Sequence, residues 1–170
     1  MKVYNRHERR LKAPPEAVGN LIDSLAGPDD RLWPKAKWPP MQFDRGLCPG
    51  AKGGHGPIRY HVIHHTPGER VVFQFDDSGL LKGFDGRHLY EMVRRKGHVV
   101  LRHIVDAECA FHLWLRWQLL VRPLHDALLE DSLHQAEKRL THTTAKSPRR
   151  SLWVRLLRWI MARKGAKSNA

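Results

Sequence analysis

The chain has 170 residues, 41% of them hydrophobic, which is enough for one domain with a buried core. No apolar run is long enough to cross a membrane and no signal-peptide pattern follows Met1, so we expect a cytoplasmic protein. The two cysteines, Cys48 and Cys109, exclude a disulfide framework and lack zinc-site spacing, so we predict that both are reduced and buried.

The net charge of +13 is concentrated at one end of the chain. From Thr141 onward there are eight Lys and Arg residues and no Asp or Glu, so the first 140 residues carry a net charge of only +5. A nucleic-acid-binding domain usually spreads its basic residues over a folded surface. We therefore predict a domain at 1–140, a basic linker at 141–150 and a basic tail at 151–170, with nucleic acid disfavoured as a partner.

The first predicted elements are a strand and a short helix. Alternation predicts a strand over residues 3–11, and one of its faces is unusually polar for a core strand; that face carries Val3, Asn5, His7, Arg9 and Leu11. Two prolines and the apolar spacing after them predict a helix that ends at Gly27-Pro28. The Pro- and Gly-rich stretch 29–57 predicts ordered loops, a turn of helix and one short strand near residues 41–44.

The middle of the chain favours strands. Residues 58–62 and 70–75 predict one hairpin, because both segments are rich in β-branched and aromatic residues and a Pro-Gly turn separates them. Residues 84–93 and 98–107 predict a second hairpin, with Gly97 available for the positive φ of its turn. Sequential hairpins indicate an antiparallel meander.

A long helix is predicted from about Phe111 to Leu140, and it has two apolar stripes. The first stripe comprises Leu113, Trp117, Leu120, Leu124 and Leu128. The second comprises Leu129, Leu133, Ala136 and Leu140, and it lies roughly 150° away from the first. Either Pro123 kinks the helix between its two halves, or the second half packs on a different surface.

Several segments together resemble bacterial members of the START-like (SRPBCC) superfamily, which includes polyketide cyclases and lipid-transfer domains. They are Trp33-Pro34, Trp38-Pro39-Pro40-Met41, Gly54-His55-Gly56-Pro57-Ile58-Arg59-Tyr60, Gly83-Phe84-Asp85-Gly86-Arg87-His88 and Arg122-Pro123-Leu124-His125-Asp126. The resemblance covers roughly residues 2–140 and implies an α+β helix-grip fold, in which an antiparallel sheet wraps a long C-terminal helix over an apolar cavity. It implies no particular activity, because this fold hosts carriers, sensors and cyclases.

Strand alternation gives the candidate lining of that cavity. The candidates are His7, Tyr60, His88, Tyr90, Met92, His103 and Trp117. These side chains either orient a hydrophobic ligand, lipid or polyketide-like, or act as the general acid and base of a cyclase or dehydratase. A third interpretation is that they are ordinary core or rim residues.

Other chemistries have weaker support. The histidines show no metal-ligand spacing, so we predict no metal and no cofactor. The glycines of 50–56 lack the Lys and Ser or Thr of a phosphate loop, and no serine lies in a nucleophile elbow. His125 and Asp126 are helix neighbours and do not face each other, so Asp126, Glu130 and Asp131 are predicted to form a solvated acidic face.

The tail resembles an interfacial membrane helix. Its candidate contact residues are Leu152, Trp153, Arg155, Leu156, Arg158, Trp159 and Ile160, with Arg155 and Arg158 opposite an apolar arc formed by Leu152, Trp153, Leu156 and Ile160. Two interpretations are open. The arc either binds an anionic membrane, so that the protein is peripheral at the inner face, or docks on its own domain or a second copy in a homodimer.

Overall fold

The computed structural model describes residues 1–141 and 149–168, and it describes side chains up to Met161. The strands are β1 (Lys2–Leu11), β2 (Met41–Phe43), β3 (Lys52–His55), β4 (Ile58–Thr66), β5 (Arg70–Phe75), β6 (Asp85–Arg95) and β7 (His98–Glu108). The helices are α1 (Pro15–Asp23), α2 (Phe111–Arg116), α3 (Arg122–Thr141) and α4 (Leu152–Ser168). Most of the predicted linker, residues 142–148, lies outside the described residues.

The seven strands form one antiparallel sheet in the order β1-β7-β6-β5-β4-β3-β2. Both predicted hairpins are present, and Gly97 has a φ of 77° in the turn between β6 and β7. The sheet has one strand more than the sequence predicted, because the glycine-rich segment that we expected to be loop forms β3. A side chain at Gly53 would overlap the backbone of Gln42, so glycine permits this close pairing with β2.

The inward face of the sheet follows the predicted alternation. Along β1 the residues Val3, Asn5, His7, Arg9 and Leu11 are buried or half-buried, and the residues between them are exposed. The first strand pairs with the last strand of the meander, so that His7 lies opposite His103, and His103 lies opposite Tyr90. Polar side chains from three strands therefore lie side by side on the concave face.

One continuous helical segment runs from α2 to α3 across this face. Its middle, Trp117–Val121, is a π-helical turn that ends just before Pro123. Both predicted stripes contribute buried residues, including Trp117, Leu128, Leu129 and Leu133. Leu120 was predicted wrongly, because it is 42% exposed; the wider π turn changes the angular spacing on which the first stripe was based. The architecture is the predicted α+β helix-grip fold.

The tail helix α4 docks on the domain. Val154 and Leu157 are 5% and 7% exposed, and the indole of Trp153 donates a hydrogen bond to the Leu119 carbonyl at 2.8 Å. That carbonyl lies four residues before Pro123, which has no N–H to donate to it in an α-helix. Among the described helices, none combines the length and the hydropathy needed to cross a bilayer.

Both cysteines are free thiols. Cys109 is half-buried at the end of β7, but Cys48 is exposed, contrary to the prediction. Cys48 belongs to the loop between β2 and β3, in which Leu47 and Ala51 reach the core but residues 48–50 are exposed.

Candidate functional site

The structure brings four of the predicted site residues together in the interior. Tyr60 on β4, His88 and Tyr90 on β6, and His103 on β7 are 0%, 5%, 0% and 2% exposed. They converge because all four lie at inward positions of neighbouring strands. His88 Nδ1 and His103 Nε2 are 3.3 Å apart, within hydrogen-bond distance. We call His88 and His103 the histidine pair.

Aromatic rings fix the histidine pair in place. His88 stacks on Phe73 and Phe75 with ring centroids 4.8 and 5.0 Å away, and Tyr60 meets its ring edge-on at 4.5 Å. The ring of Tyr90 lies 4.6 Å from His103. Each imidazole therefore has an apolar environment and a restricted orientation.

Within the described part of the chain, two nitrogens of the histidine pair have no hydrogen-bond partner. They are His88 Nε2 and His103 Nδ1, and both are buried. A buried polar atom without a partner costs about 1–3 kcal/mol, so native interiors rarely contain one without a bound molecule nearby. These two atoms make the interior a candidate ligand site.

Burial sets the protonation states in the interior. Burial lowers the pKa of His88 and of His103 well below the ordinary value of 6.5, and the fields of neighbouring histidines act in the same direction. Burial raises the pKa of Tyr60 well above 10. All three groups are therefore neutral at pH 7.

His55 extends the polar interior toward β3. Its Nδ1 lies 2.8 Å from the Tyr60 hydroxyl, and burial lowers the pKa of His55 to about 3. The sequence analysis placed His55 in the family resemblance but did not propose it as a site residue. Its position in a glycine-rich segment hid the alternation of β3.

The remaining predicted lining residues lie apart from the histidine pair. Met92 is buried two positions beyond Tyr90, toward the β6–β7 turn. Trp117 is 2% exposed and packs between Phe84 and His125, with ring centroids 5.7 and 5.6 Å away. Its ring closes the interior beneath the π turn.

His7 faces α3 and forms a second cluster there. Its Nε2 lies 2.9 Å from Asp126 Oδ1 and its Nδ1 lies 3.1 Å from Glu130 Oε1. Burial alone lowers the pKa of His7, but these hydrogen bonds outweigh burial and raise the pKa above 6.5. Arg9, two residues along the same face, donates to Glu130 and Glu137 at 2.9 Å each.

The predicted solvated acidic face is therefore wrong. The side chains of Asp126 and Glu130 are 36% and 38% exposed and are paired with β1, and that of Asp131 is only 3% exposed. Asp131 accepts hydrogen bonds from Trp38, Lys37 and Arg150 at 2.9, 3.2 and 2.7 Å.

His125 lies between the histidine pair and the cluster around His7, and the sequence analysis did not propose it as a site residue. Its ring lies 5.1 Å from His103 and 6.1 Å from His7, and its Nδ1 is buried without a hydrogen-bond partner. His125 is eight residues after Trp117, and this helical spacing was the available signal for an inward position. Its Nδ1 is 3.9 Å from Asp126 Oδ1, too far for a hydrogen bond, so the predicted absence of a His125–Asp126 dyad agrees with this distance.

A cleft of about 480 Å³ lies between α3 and the tail. Its walls include Arg122, Asp126, Glu130, Arg150, Ser151 and Val154. The cleft therefore opens onto Asp126 and Glu130, the carboxylates that contact His7.

The tail residues predicted to contact a membrane or partner divide into two groups. Arg158 packs on the domain, with its guanidinium 4.2 Å from the ring centre of Trp38 and a hydrogen bond to the Lys37 carbonyl. The apolar arc remains exposed: Leu152, Trp153, Leu156, Trp159 and Ile160 are 79%, 45%, 44%, 51% and 38% exposed. Arg155 is exposed as well. Docking uses the side chains of Val154 and Leu157, which are not in the predicted arc, and the indole of Trp153, which is.

No protein-family model matches this sequence, and no curated protein matches it either. Solved structures do match the fold. A solution NMR structure from Thermobifida fusca superposes with a TM-score of 0.62 at 17% identity, covering 84% of this chain and 97% of that one. CalU16 from Micromonospora echinospora gives 0.57 at 13% identity, with 91% and 80% covered.

StfQ, the di-domain ARO/CYC from the steffimycin biosynthetic pathway, also superposes. Its TM-score is 0.59 at 12% identity, over 83% of this chain and 51% of StfQ. At these identities the likenesses show the fold alone. They confirm the START-like, helix-grip fold that the sequence motifs implied.

Proposed function

We propose that this protein binds a mostly apolar small molecule, lipid or polyketide-like, in the interior between the sheet and the long helix. The observation that carries the proposal is the pair of buried, unpartnered nitrogens, His88 Nε2 and His103 Nδ1. They suit a ligand with a polar group, and the rings around them suit a ligand with an apolar frame.

The tautomers of the histidine pair define the polar group. One neutral imidazole donates its only proton across the 3.3 Å contact, and the other accepts it. If His88 donates through Nδ1, its Nε2 is a bare acceptor and His103 must carry its proton on Nδ1. If His103 donates through Nε2, the two roles are exchanged. In both cases the pair presents one donor and one acceptor, which matches a hydroxyl group or a neighbouring carbonyl and hydroxyl.

The first test asks whether a compound copurifies. Native mass spectrometry of the intact protein, followed by organic extraction, is expected to yield about one equivalent of an apolar molecule. A recovered compound identifies the ligand directly. If the protein is purified without a compound, the binding of small aromatic probes is measured instead.

Naphthalene and 2-naphthol are suitable probes because they share an apolar frame and differ by one hydroxyl. We expect 2-naphthol to bind about tenfold more tightly, the equivalent of one satisfied hydrogen bond. His88→Phe should abolish that preference, since the phenyl ring preserves the stack on Phe73 and Phe75. His64→Gln, at an exposed histidine, should keep it. Equal affinity of the two probes for the wild-type protein would refute the proposal.

The second candidate function is a cyclase or dehydratase that uses the same interior. It is favoured by the 2.8 Å contact between neutral His55 and the Tyr60 hydroxyl, which places a proton acceptor on a phenol, and by the likeness to an ARO/CYC fold. The two functions differ in one measurement. His55→Gln leaves ligand affinity largely intact and removes turnover in an enzyme, whereas a carrier has no turnover with any substrate that binds.

For the tail we propose contact with an anionic membrane surface. The exposed arc of α4 adjoins further exposed apolar residues of the long helix, namely Phe111, Leu115 and Leu119, at 63%, 43% and 53% exposure. The sequence from 141 onward adds eight basic and no acidic residues, which complements anionic lipid.

Sedimentation with vesicles tests this part. We expect binding to vesicles that contain phosphatidylserine, little binding to phosphatidylcholine alone, and loss of binding at high salt. Leu156→Glu should weaken binding about tenfold or more, and Glu8→Gln on the opposite side of the molecule should not. Salt-insensitive dimerisation through Leu156, seen by analytical ultracentrifugation without vesicle binding, would assign the arc to a second copy instead.

A further inference from the structure

We propose that His7, His125 and Asp126 form a binding site for a divalent transition-metal ion such as Zn²⁺. His7 comes from β1, and the other two residues are neighbours on α3. Among the described residues this is the one group of three metal-ligating side chains whose donor atoms all lie within 4.8 Å of one another. The donor set is two imidazoles and one carboxylate, which suits Zn²⁺ and its first-row neighbours and does not suit Ca²⁺ or Mg²⁺.

The spacing of the donor atoms fits an ion. Tetrahedral Zn²⁺ with bonds of about 2.0–2.1 Å holds its ligand atoms roughly 3.3–3.4 Å apart. Here His7 Nε2 lies 2.9 Å from Asp126 Oδ1, and His125 Nδ1 lies 3.9 Å from the same oxygen. These two distances bracket the required value, and the third pair of donor atoms, on His7 and His125, lies within 4.8 Å, so the three side chains can close on one ion by rotation.

An unpartnered nitrogen provides the independent observation. His125 Nδ1 is buried and makes no hydrogen bond, although it faces a carboxylate oxygen 3.9 Å away. The contact between His7 and Asp126 leaves His125 Nδ1 with only a 3.9 Å charge contact to the same carboxylate, which is too long for a hydrogen bond. A metal ion between the three atoms satisfies all of them.

The surrounding hydrogen bonds are those of a supported metal ligand. His7 uses its second nitrogen, Nδ1, to contact Glu130 at 3.1 Å, which fixes the ring and leaves Nε2 toward the site. Asn5 donates to Asp126 Oδ1 at 3.0 Å. Arg122 lies 3.7 Å from the other carboxylate oxygen, Oδ2, so it does not occupy the proposed coordinating atom.

The ion has a path from solvent. Asp126 and Glu130 line the cleft between α3 and the tail, so an ion entering the cleft meets the two carboxylates first. Three protein ligands leave at least one coordination position for water or a substrate atom, as in catalytic zinc sites and unlike closed structural ones. The proposed metal ligands do not include His88 or His103. The metal proposal can therefore be refuted while the small-molecule proposal stands, and the small-molecule proposal can be refuted while the metal proposal stands.

The test uses the full-length protein without a polyhistidine tag, stripped of metal with a chelator. We expect about one equivalent of Zn²⁺ to bind in a competition titration, and Co²⁺ in its place to give visible d–d absorption. Asp126→Asn and His125→Gln should each weaken Zn²⁺ binding at least a hundredfold. Glu130→Gln should weaken it about tenfold to a hundredfold, the usual effect of losing a residue that orients a ligand.

The control is a second histidine–aspartate pair. His61 Nδ1 lies 2.6 Å from Asp76, so Asp76→Asn removes the same carboxylate next to an imidazole at another place in the fold. This variant should bind Zn²⁺ as tightly as the wild type. Equal affinity in Asp126→Asn and the wild type would overturn the proposal, since the metal would then be held by other surface groups.

A measurement on the wild type keeps the proposal testable if a variant does not fold. Imidazole ¹⁵N NMR should show a metal-induced shift at His7 Nε2 and His125 Nδ1 on addition of one equivalent of Zn²⁺. A shift confined to the exposed His64 and its neighbour His65 would overturn the proposal as adventitious binding.

Discussion

Neutralising Asp131 should destabilise this protein strongly, because this carboxylate joins three parts of the fold. Its side chain on α3 is 3% exposed and accepts hydrogen bonds from Trp38 and Lys37 in the loop after α1 and from Arg150 before the tail. Burial alone raises the pKa of a carboxyl, but these three donors outweigh burial and lower the pKa of Asp131. The group is therefore a buried anion held by its partners.

The magnitude follows from which partners can return to water. Lys37 and Arg150 are 42% and 28% exposed at the side chain, so both recover much of their hydration when Asp131 becomes Asn. Trp38 is 7% exposed and does not. Asn keeps one acceptor oxygen, so the hydrogen bond from the indole loses its charge assistance, and the new NH₂ group faces a donor, either Lys37 or the pair of Trp38 and Arg150. We expect the free energy of unfolding to fall by about 2–4 kcal/mol.

Urea unfolding followed by circular dichroism at neutral pH measures this change. Asp23→Asn is the matched control, since Asp23 also accepts two hydrogen bonds, from His65 and Gly68, but its side chain is 31% exposed. We expect a loss below about 1 kcal/mol there. A second readout is trypsin cleavage within α4 at the exposed Arg155, which should accelerate in Asp131→Asn. A loss below about 1 kcal/mol in Asp131→Asn, or equal losses in both variants, would refute the reasoning.

Three further predictions concern the core, a helix contact and the tail. Because burial lowers the pKa of His88 well below 6.5, the unfolded chain takes up a proton on acidification that the folded chain does not. The His88 contribution to stability is intact at about pH 7.5, about 1.4 kcal/mol of it is gone at about pH 5.5, and the loss continues at lower pH. His88→Phe should remove this part of the pH dependence in urea unfolding at the two pH values. The methyl group added in Gly19→Ala would overlap the backbone of the β4–β5 turn, so we expect the free energy of unfolding to fall by about 1–3 kcal/mol in thermal unfolding, although alanine is the better helix former. Asn20→Ala, on the exposed side of the helix, should change it by less than about 0.5 kcal/mol. A stabilised Gly19→Ala variant would contradict this packing. Trp153→Phe removes the hydrogen bond from the indole to the Leu119 carbonyl and should lower the free energy of unfolding by about 1 kcal/mol in urea unfolding. Leu152→Ala, at a side chain that is 79% exposed, should cause no measurable change.

Local patterns in the sequence determined the strands and their inward faces. Residues of β1, β4, β6 and β7 point inward where alternation predicted, because the side-chain period of a strand is fixed at two by the backbone. The same patterns, with the family resemblance, gave the helix-grip fold and four residues of the interior site. The strand β3 was missed because glycine carries no hydrophobic pattern to read.

The contacts between distant elements could not be derived in this way. Asp126, Glu130 and Asp131 have the sequence pattern of a solvated helix face. They become paired groups because three distant parts of the chain pack against α3, namely β1, the loop that carries Trp38, and Arg150. His7 and Asp126 are 119 positions apart, so no local spacing could indicate their contact.

The tail shows the same division. Its amphipathic character and charge are properties of the sequence, but a helix with apolar residues on more than one side can bury any of those sides. The tertiary structure buries Val154 and Leu157 and leaves most of the broader arc exposed, and in this orientation the indole of Trp153 and the guanidinium of Arg158 both contact the domain. Backbone periodicity thus fixes which residues share a face, and the free energy of contacts between elements decides what each face meets.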